Sequence, residues 1–259
     1  MKTKNLFAIM MFVFPVLLVS CEKNEPDDDS FDFNVHDFRV TNVLYPKGSK
    51  LKRVYQVFND GSRLLRPEYS YDEMGRISRV DWVFEAWKQW DEYLYNKKGQ
   101  LEKISSYEAY LENLPDLRQT IVYSYDTEGN KIKEQTEWPA GKTYNLYRYN
   151  DKKLVRQEHY EEEQQKYYIV YEYKGNMLKK EKLFVPDSPD YVTTEHFYGQ
   201  NLLIYSITYH EDPKSGFMND ERRYYDKNDN LIKTISNHPG LSSHSEATAF
   251  YVTWEYEYE

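Results

Sequence analysis

From residue 43 onward the chain is written in short stretches that alternate large apolar and polar positions, and the stretches repeat. Tyr69-Ser-Tyr71-Asp72-Glu-Met-Gly75-Arg-Ile77 returns as Tyr93-Leu-Tyr95-Asn96-Lys-Lys-Gly99-Gln-Leu101 and as Tyr123-Ser-Tyr125-Asp126-Thr-Glu-Gly129. The second large residue of each unit falls at Tyr71, Tyr95, Tyr125, Tyr149, Tyr173, Tyr198 and Tyr225, in steps of 24, 30, 24, 24, 25 and 27 residues. Alternation with a period of two belongs to β-strands with one packed face, and recurrence at this longer period marks a repeat architecture. Tyr45 to Leu51 reads as a degenerate first unit. Trp254 to Tyr258 reads as a last half-unit, with no effector domain expected after it.

The turns fix the pairing. Asp72-Glu-Met-Gly75 fits a type I turn closed by a left-handed Gly75, which gives a three-residue hairpin loop with a bulge. Tyr71 then faces Ile77, and an aromatic–aliphatic pair of this kind stabilises antiparallel strands by about 0.2–1 kcal/mol. A three-residue loop needs a spacing of six between aromatic and aliphatic, as in Tyr95 to Leu101, Tyr225 to Leu231 and Tyr45 to Leu51. A two-residue loop needs five, as in Tyr149 to Leu154, Tyr173 to Leu178 and Tyr198 to Leu203. Tyr125 to Ile132 is seven, with Lys131 in the aliphatic place, and this unit breaks the rule.

Two strands per unit predict an all-β fold: a long antiparallel meander of repeated β-hairpins, about 15 strands. Open sheets of more than about ten strands curl, close or split. The meander is therefore expected to curl strongly, into a barrel-like roll or two facing layers. Tight turns line one edge and longer connections the other, among them Glu85 to Trp90, Leu111 to Gln119, Pro139 to Lys142, Glu158 to Gln165, Glu211 to Asp220 and His238 to Ala247. The residues between the paired aromatics are Ser70, Leu94, Ser124, Arg148, Glu172, Phe197, Tyr224 and Glu257. Most are polar, so the Tyr side is expected to pack and the other side to be wet.

Composition agrees. Tyr alone accounts for 27 of 259 residues, aromatics for 17%, and Gly for only 10 positions, which favours strands over disorder. The N-terminus departs from the pattern. Lys2 and Lys4 precede the uncharged apolar stretch Leu6 to Val19, the form of an export signal and too short for a comfortable membrane span. Leu18-Val19-Ser20-Cys21 resembles the lipobox of bacterial lipoproteins, and Cys21 is the sole cysteine. That resemblance implies acylation of Cys21, cleavage before it, and a place in the cell envelope on the bacterial outer membrane, with surface exposure possible. The alternative is an ordinary free cysteine behind a plain signal peptide. The domain plan is thus a signal peptide over 1–20, an acidic tether over 21–36 and one repeat domain over 37–259. Removing Lys2 and Lys4 takes the formal charge from -9 to -11, which disfavours nucleic acid and anionic lipid as partners.

Tyr-x-Tyr-Asp-x-x-Gly-Arg-Ile at Tyr69 to Ile77 also resembles the YD repeat of Rhs-type and teneurin-type shell proteins. Tyr123 to Gly129 is similar, and Tyr93 to Leu101 carries Asn96 for the Asp. The resemblance implies curled antiparallel sheet, with too few repeats for a shell that encapsulates cargo.

No catalytic motif, phosphate loop or metal-ligand spacing is present, so neither an active site nor a cofactor is expected. Asp226 to Asn230 begins like a calcium loop but has Leu231 where Gly is needed; it reads as a turn. Glu161-Glu162-Glu163 reads as a solvated acidic loop. Trp87 and Trp90, beside a long connection with Trp82 and Phe84 before it, are the candidate ligand-binding residues. Flat aromatic faces with polar neighbours suit a sugar ring or a protein anchor. The competing reading places them in a core corner where the sheet curls. The function these residues point to is a lipid-anchored binding module for a glycan or protein partner. The alternative is a structural envelope protein with no small ligand, with an enzyme third.

Overall fold

The computed structural model describes residues 39–40, 43–84, 87–110, 114–210, 217–238 and 250–259. The signal peptide, the tether, Cys21 and most of the connection around His244 lie outside the described residues. Sixteen strands follow in chain order: β1 (Leu51–Val57), β2 (Arg63–Tyr71), β3 (Ile77–Val83), β4 (Trp87–Tyr95), β5 (Leu101–Tyr110), β6 (Asp116–Tyr125), β7 (Lys131–Trp138) and β8 (Gly141–Asn150). They continue with β9 (Lys153–Glu161), β10 (Gln164–Lys174), β11 (Met177–Phe184), β12 (Tyr191–Gly199), β13 (Leu202–His210), β14 (Phe217–Tyr225), β15 (Leu231–His238) and β16 (Phe250–Tyr258). Each strand pairs antiparallel with its sequence neighbours and β1 pairs with β16, so the meander closes into a barrel.

The turn chemistry produces the expected register. Asp72 N donates to Arg76 O at 2.8 Å, Gly75 N to Asp72 O at 2.9 Å, and Tyr71 faces Ile77. The Asp72 carboxylate accepts the backbone N–H groups of Met74 and Arg76, each at 2.9 Å. Gly75, Gly99 and Gly129 have φ of +77°, +79° and +91°, where a Cβ would be strained. In each tight hairpin the register shifts once, just after the residue that faces the last tyrosine.

The unit at Tyr125 is regular after all. Tyr125 faces Lys131 at a spacing of six, and Ile132 is only the bulged residue. The Lys131 ammonium lies 4.2 Å from the Tyr147 ring centre and 2.9 Å from Glu134, which lets a cation take an aliphatic position. At the first unit, Leu51 pairs with Tyr258 rather than Tyr45. The closing seam therefore copies a hairpin from the two ends of the chain. Glu259 N even donates to Lys50 O at 2.9 Å, as Asp72 N does to Arg76 O.

Two of the expected long connections are two-residue turns. Pro139-Ala140 joins β7 to β8, and Glu162-Glu163 joins β9 to β10 with φ of +46° and +69°. The acidic run closes a tight hairpin, and its three carboxylates remain exposed to solvent as expected.

The Tyr side lines the lumen. Burial raises the phenol pKa of Tyr69, Tyr93, Tyr123, Tyr147 and Tyr171, and each lies near enough to a phenol two strands away to add to the shift. Side chains on alternate strands converge in this way on a concave surface. Tyr93 is pushed up to about 12. Among the described residues only six apolar side chains are buried, Val54, Val80, Ile204, Tyr205, Tyr225 and Ile232, and of these only Val80 and Ile204 are fully so. A sixteen-stranded barrel is wide enough for an aqueous interior, and the tyrosines of this one line its inward face.

Candidate functional site

At the tight-turn rim the lumen wall is a ring of tyrosines. Tyr71, Tyr95, Tyr125, Tyr149, Tyr173, Tyr225 and Tyr258 donate their hydroxyls to the carbonyls of Leu51, Ile77, Leu101, Lys131, Leu154, Leu203 and Leu231, at 2.5–3.0 Å. Each bond ties the end of one strand to the start of its neighbour. These hydroxyls are spent on the scaffold. Two residues back comes a second tier: Tyr69, Tyr93, Tyr123, Tyr147, Tyr171 and Tyr256, with His196 and Arg223 completing the circuit.

His196 brings together groups the sequence reading did not connect. Its ring nitrogens lie 3.0 Å from Ser206 Oγ and 2.9 Å from Glu181 Oε1. Acid, imidazole and hydroxyl in line resemble a hydrolytic triad. Both His196 and Ser206 are buried, however, and His196 simply stands where other repeats have Tyr. The line ties β11, β12 and β13 together and braces the wall.

The outer face carries charge. Arg53 meets Glu68 at 2.8 Å and Glu257 at 3.6 Å, and Arg79 meets Asp81 at 2.6 Å and Glu92 at 3.5 Å. Glu158, almost fully buried, accepts from Arg148 at 3.0 Å and Arg156 at 2.8 Å. Burial alone would raise its carboxyl, but the two guanidiniums together outweigh that effect and hold it below the usual range. Lys180–Glu195 and Lys182–Glu172 continue the band at 2.6 and 3.0 Å.

Trp87 and Trp90 are both half-buried on β4, not in a loop. Three apart on one strand, they point to opposite faces and form no common platform. Trp87 stacks on Phe84 at 4.0 Å and on Tyr110 at 6.0 Å. Trp90 stacks on Tyr107 at 5.4 Å under the Arg79 guanidinium, and its Nε1 donates to Glu92 at 3.1 Å. Trp82 Nε1 donates to Asp91 at 2.8 Å. A recess of about 660 Å³ lies beside both indoles, lined also by Arg79, Asp81 and Lys88.

Two further recesses open at the loop-side rim. One, of about 670 Å³, is lined by Gln89, Glu108, Asp116, Arg118, Gln119 and Trp138. The other, of about 430 Å³, is lined by Trp138, Lys142, Glu161, Glu162, Gln164 and Lys166. Trp138 belongs to both, a residue the sequence reading passed over. The available signal was an indole directly before the connection Pro139-Ala-Gly141.

No family description and no curated protein matches the sequence. Among solved structures, the chain is similar to a porin-like protein from Bacteroides uniformis at 11% identity and a TM-score of 0.43, covering 86% of this chain and 99% of that one. A porin-like protein from Bacteroides vulgatus aligns at 9% identity and a TM-score of 0.37, covering 82% and 99%.

Proposed function

We propose that this chain is a lipid-anchored barrel that stands in water beside its membrane and serves as a binding module of the cell envelope. The observation that carries the reading is the charge on both faces of the closed sheet. A barrel that crosses a bilayer needs an outward apolar band about 25 Å tall, and an Arg or Lys at its middle costs about 2–4 kcal/mol. Here Arg79, Glu92, Glu158, Lys182 and Glu195 occupy mid-strand outward positions. The inward face is equally unsuited to lipid, with Asp91, Glu108, Arg118, Glu134 and Glu181 along it. Attachment would then fall to acyl chains on Cys21, and the lumen and its loop-side mouth would remain free to bind.

Fractionation of wild type and Cys21→Ala tests the reading, with a fatty-acid probe to report acylation. Wild type should label and sediment with membranes, whereas Cys21→Ala should lose the label and be released without detergent. A Cys21→Ala protein that still required detergent would overturn it, as would equal labelling of both.

A further inference from the structure

We infer that the loop-side mouth holds a binding groove for an uncharged glycan chain, running from the β4–β6 wall across Trp138 to the β9–β10 turn. The inference rests on the binding-module reading and chooses among its ligands. Trp138 ends β7 and pairs with Gly141 across the two-residue turn. A Cβ at Gly141 would lie 3.7–3.8 Å from the indole, so the ring lies across a position with no side chain. The indole is 38% exposed, and among the described residues its N–H has no partner. A flat aromatic surface with a free donor, flanked by two recesses, suits a chain of pyranose rings: one ring stacks while its neighbours extend to either side.

The lining selects the ligand's charge. In the larger recess Arg118 is held by Glu108 at 3.2 Å and lies 3.5 Å from Gln89 Oε1, so its guanidinium is not free for an anion. Asp116 adds a second carboxylate there. In the smaller recess Lys166 is matched by Glu161 at 3.6 Å. The larger recess thus carries one more carboxylate than cations, and in the smaller one Lys142 and Lys166 are balanced by Glu161 and Glu162. The groove therefore has no cationic excess to draw uronates, sulfates or phosphates, and it offers polar groups to hydroxyls. The larger recess falls within the range of small-ligand sites, about 300–1,000 Å³. A folded protein partner needs roughly 1,000 Å² or more of buried surface and gains little from clefts of this size.

Titration calorimetry of the full-length chain in detergent, with neutral gluco-, manno- and xylo-hexaoses and hexagalacturonate as the acidic comparator, tests this. At least one neutral hexaose should bind, and hexagalacturonate at least tenfold more weakly. Trp138→Ala should weaken binding at least tenfold, and Trp90→Ala, on the other face, less than twofold. Gln164→Ala, a mild change in the smaller recess, should weaken binding several-fold even if Trp138→Ala fails to fold. Absence of binding to every neutral hexaose, a preference for the acidic oligomer, or an unchanged affinity in Gln164→Ala would each overturn the groove. The release of Cys21→Ala from membranes is independent of all three outcomes.

Discussion

The two rims of this barrel are built on opposite principles. At the tight-turn rim one solution is copied around the circuit: a turn, a single bulge, an inward tyrosine and a hydroxyl-to-carbonyl bond to the next strand. Among the described residues the loop-side connections differ in length or backbone conformation, and the aromatic residues there are placed individually: Trp87 on Phe84, Trp90 under Arg79, Trp138 across Gly141. A rim that repeats one brace at seven of its tyrosines serves the scaffold. A rim that varies on a fixed frame is free to specialise, as loops on rigid scaffolds generally do.

The sharpest way to break the tight-turn rim is alkali. Burial raises Tyr93 and Tyr258 to about 12, and raises Tyr69, Tyr123, Tyr147, Tyr171 and Tyr256 as well. A phenol whose folded pKa is raised contributes stability that is fully present below its unfolded value of about 10. Above that pH the unfolded chain has already released protons that the folded chain still holds, so stability falls as pH rises from about 10 to 12. With many phenols shifted together, the barrel should unfold cooperatively in that window. Ultraviolet absorbance of the phenolates, recorded alongside circular dichroism, should show the lumenal tyrosines ionising with the loss of structure. Titration near 10 in a barrel that stays folded would contradict the lined-lumen account.

This division also decides what could be read from the chain. The approximate strand count, the tight turns after the paired tyrosines, the spacing of five or six and the inward face of those tyrosines were legible, because local turn chemistry and alternation determine them. Closure was not, since the pairing of Leu51 with Tyr258 joins residues at opposite ends of the chain. Lys131 was misjudged because its partners, Glu134 and the Tyr147 ring, lie on other positions of the sheet. Trp87 and Trp90 do not form a pair, because β4 begins at Trp87 and strand alternation sends them to opposite faces. Trp138 gave little signal, because its exposure depends on a partner position without a Cβ, at Gly141.

A second test asks how uniform the tight-turn rim is. Asp126 caps its turn much as Asp226 does: each accepts two backbone N–H groups at 2.8–2.9 Å and the side-chain amide of Asn130 or Asn230. Asp226 is also fully buried and accepts the Tyr45 N–H at 3.1 Å, while Arg39 donates to its carbonyl at 2.7 Å. Asp126→Ala should therefore cost about 1 kcal/mol, and Asp226→Ala about 3 kcal/mol because buried donors lose a charged acceptor. Denaturant midpoints would measure both. Equal costs would mean that the segment before β1 adds nothing to this rim.

The smallest effect is expected where the two rims use the same turn. Glu162-Glu163 on the loop side and Asp151-Lys152 on the tight side are two-residue turns with both φ values positive: +46° and +69° for the first pair, +47° and +64° for the second. Asn-Gly suits that conformation far better than Glu-Glu or Asp-Lys. Relief of left-handed strain, about 1–2 kcal/mol per residue, is offset in part by the flexibility glycine gives the unfolded chain. Asp151→Asn with Lys152→Gly should thus raise stability by about 1 kcal/mol, a rise of about 2–4 °C in melting temperature. Glu162→Asn with Glu163→Gly should gain slightly less, since Glu163 accepts the exposed Tyr144 hydroxyl at 2.9 Å. The rims separate in a second readout. Glu162 lines the smaller recess, so the loop-side swap should change affinity for a neutral hexaose while the tight-side swap leaves it alone. If both swaps stabilise and neither touches affinity, the acidic pair is only a turn, and the groove ends at Trp138.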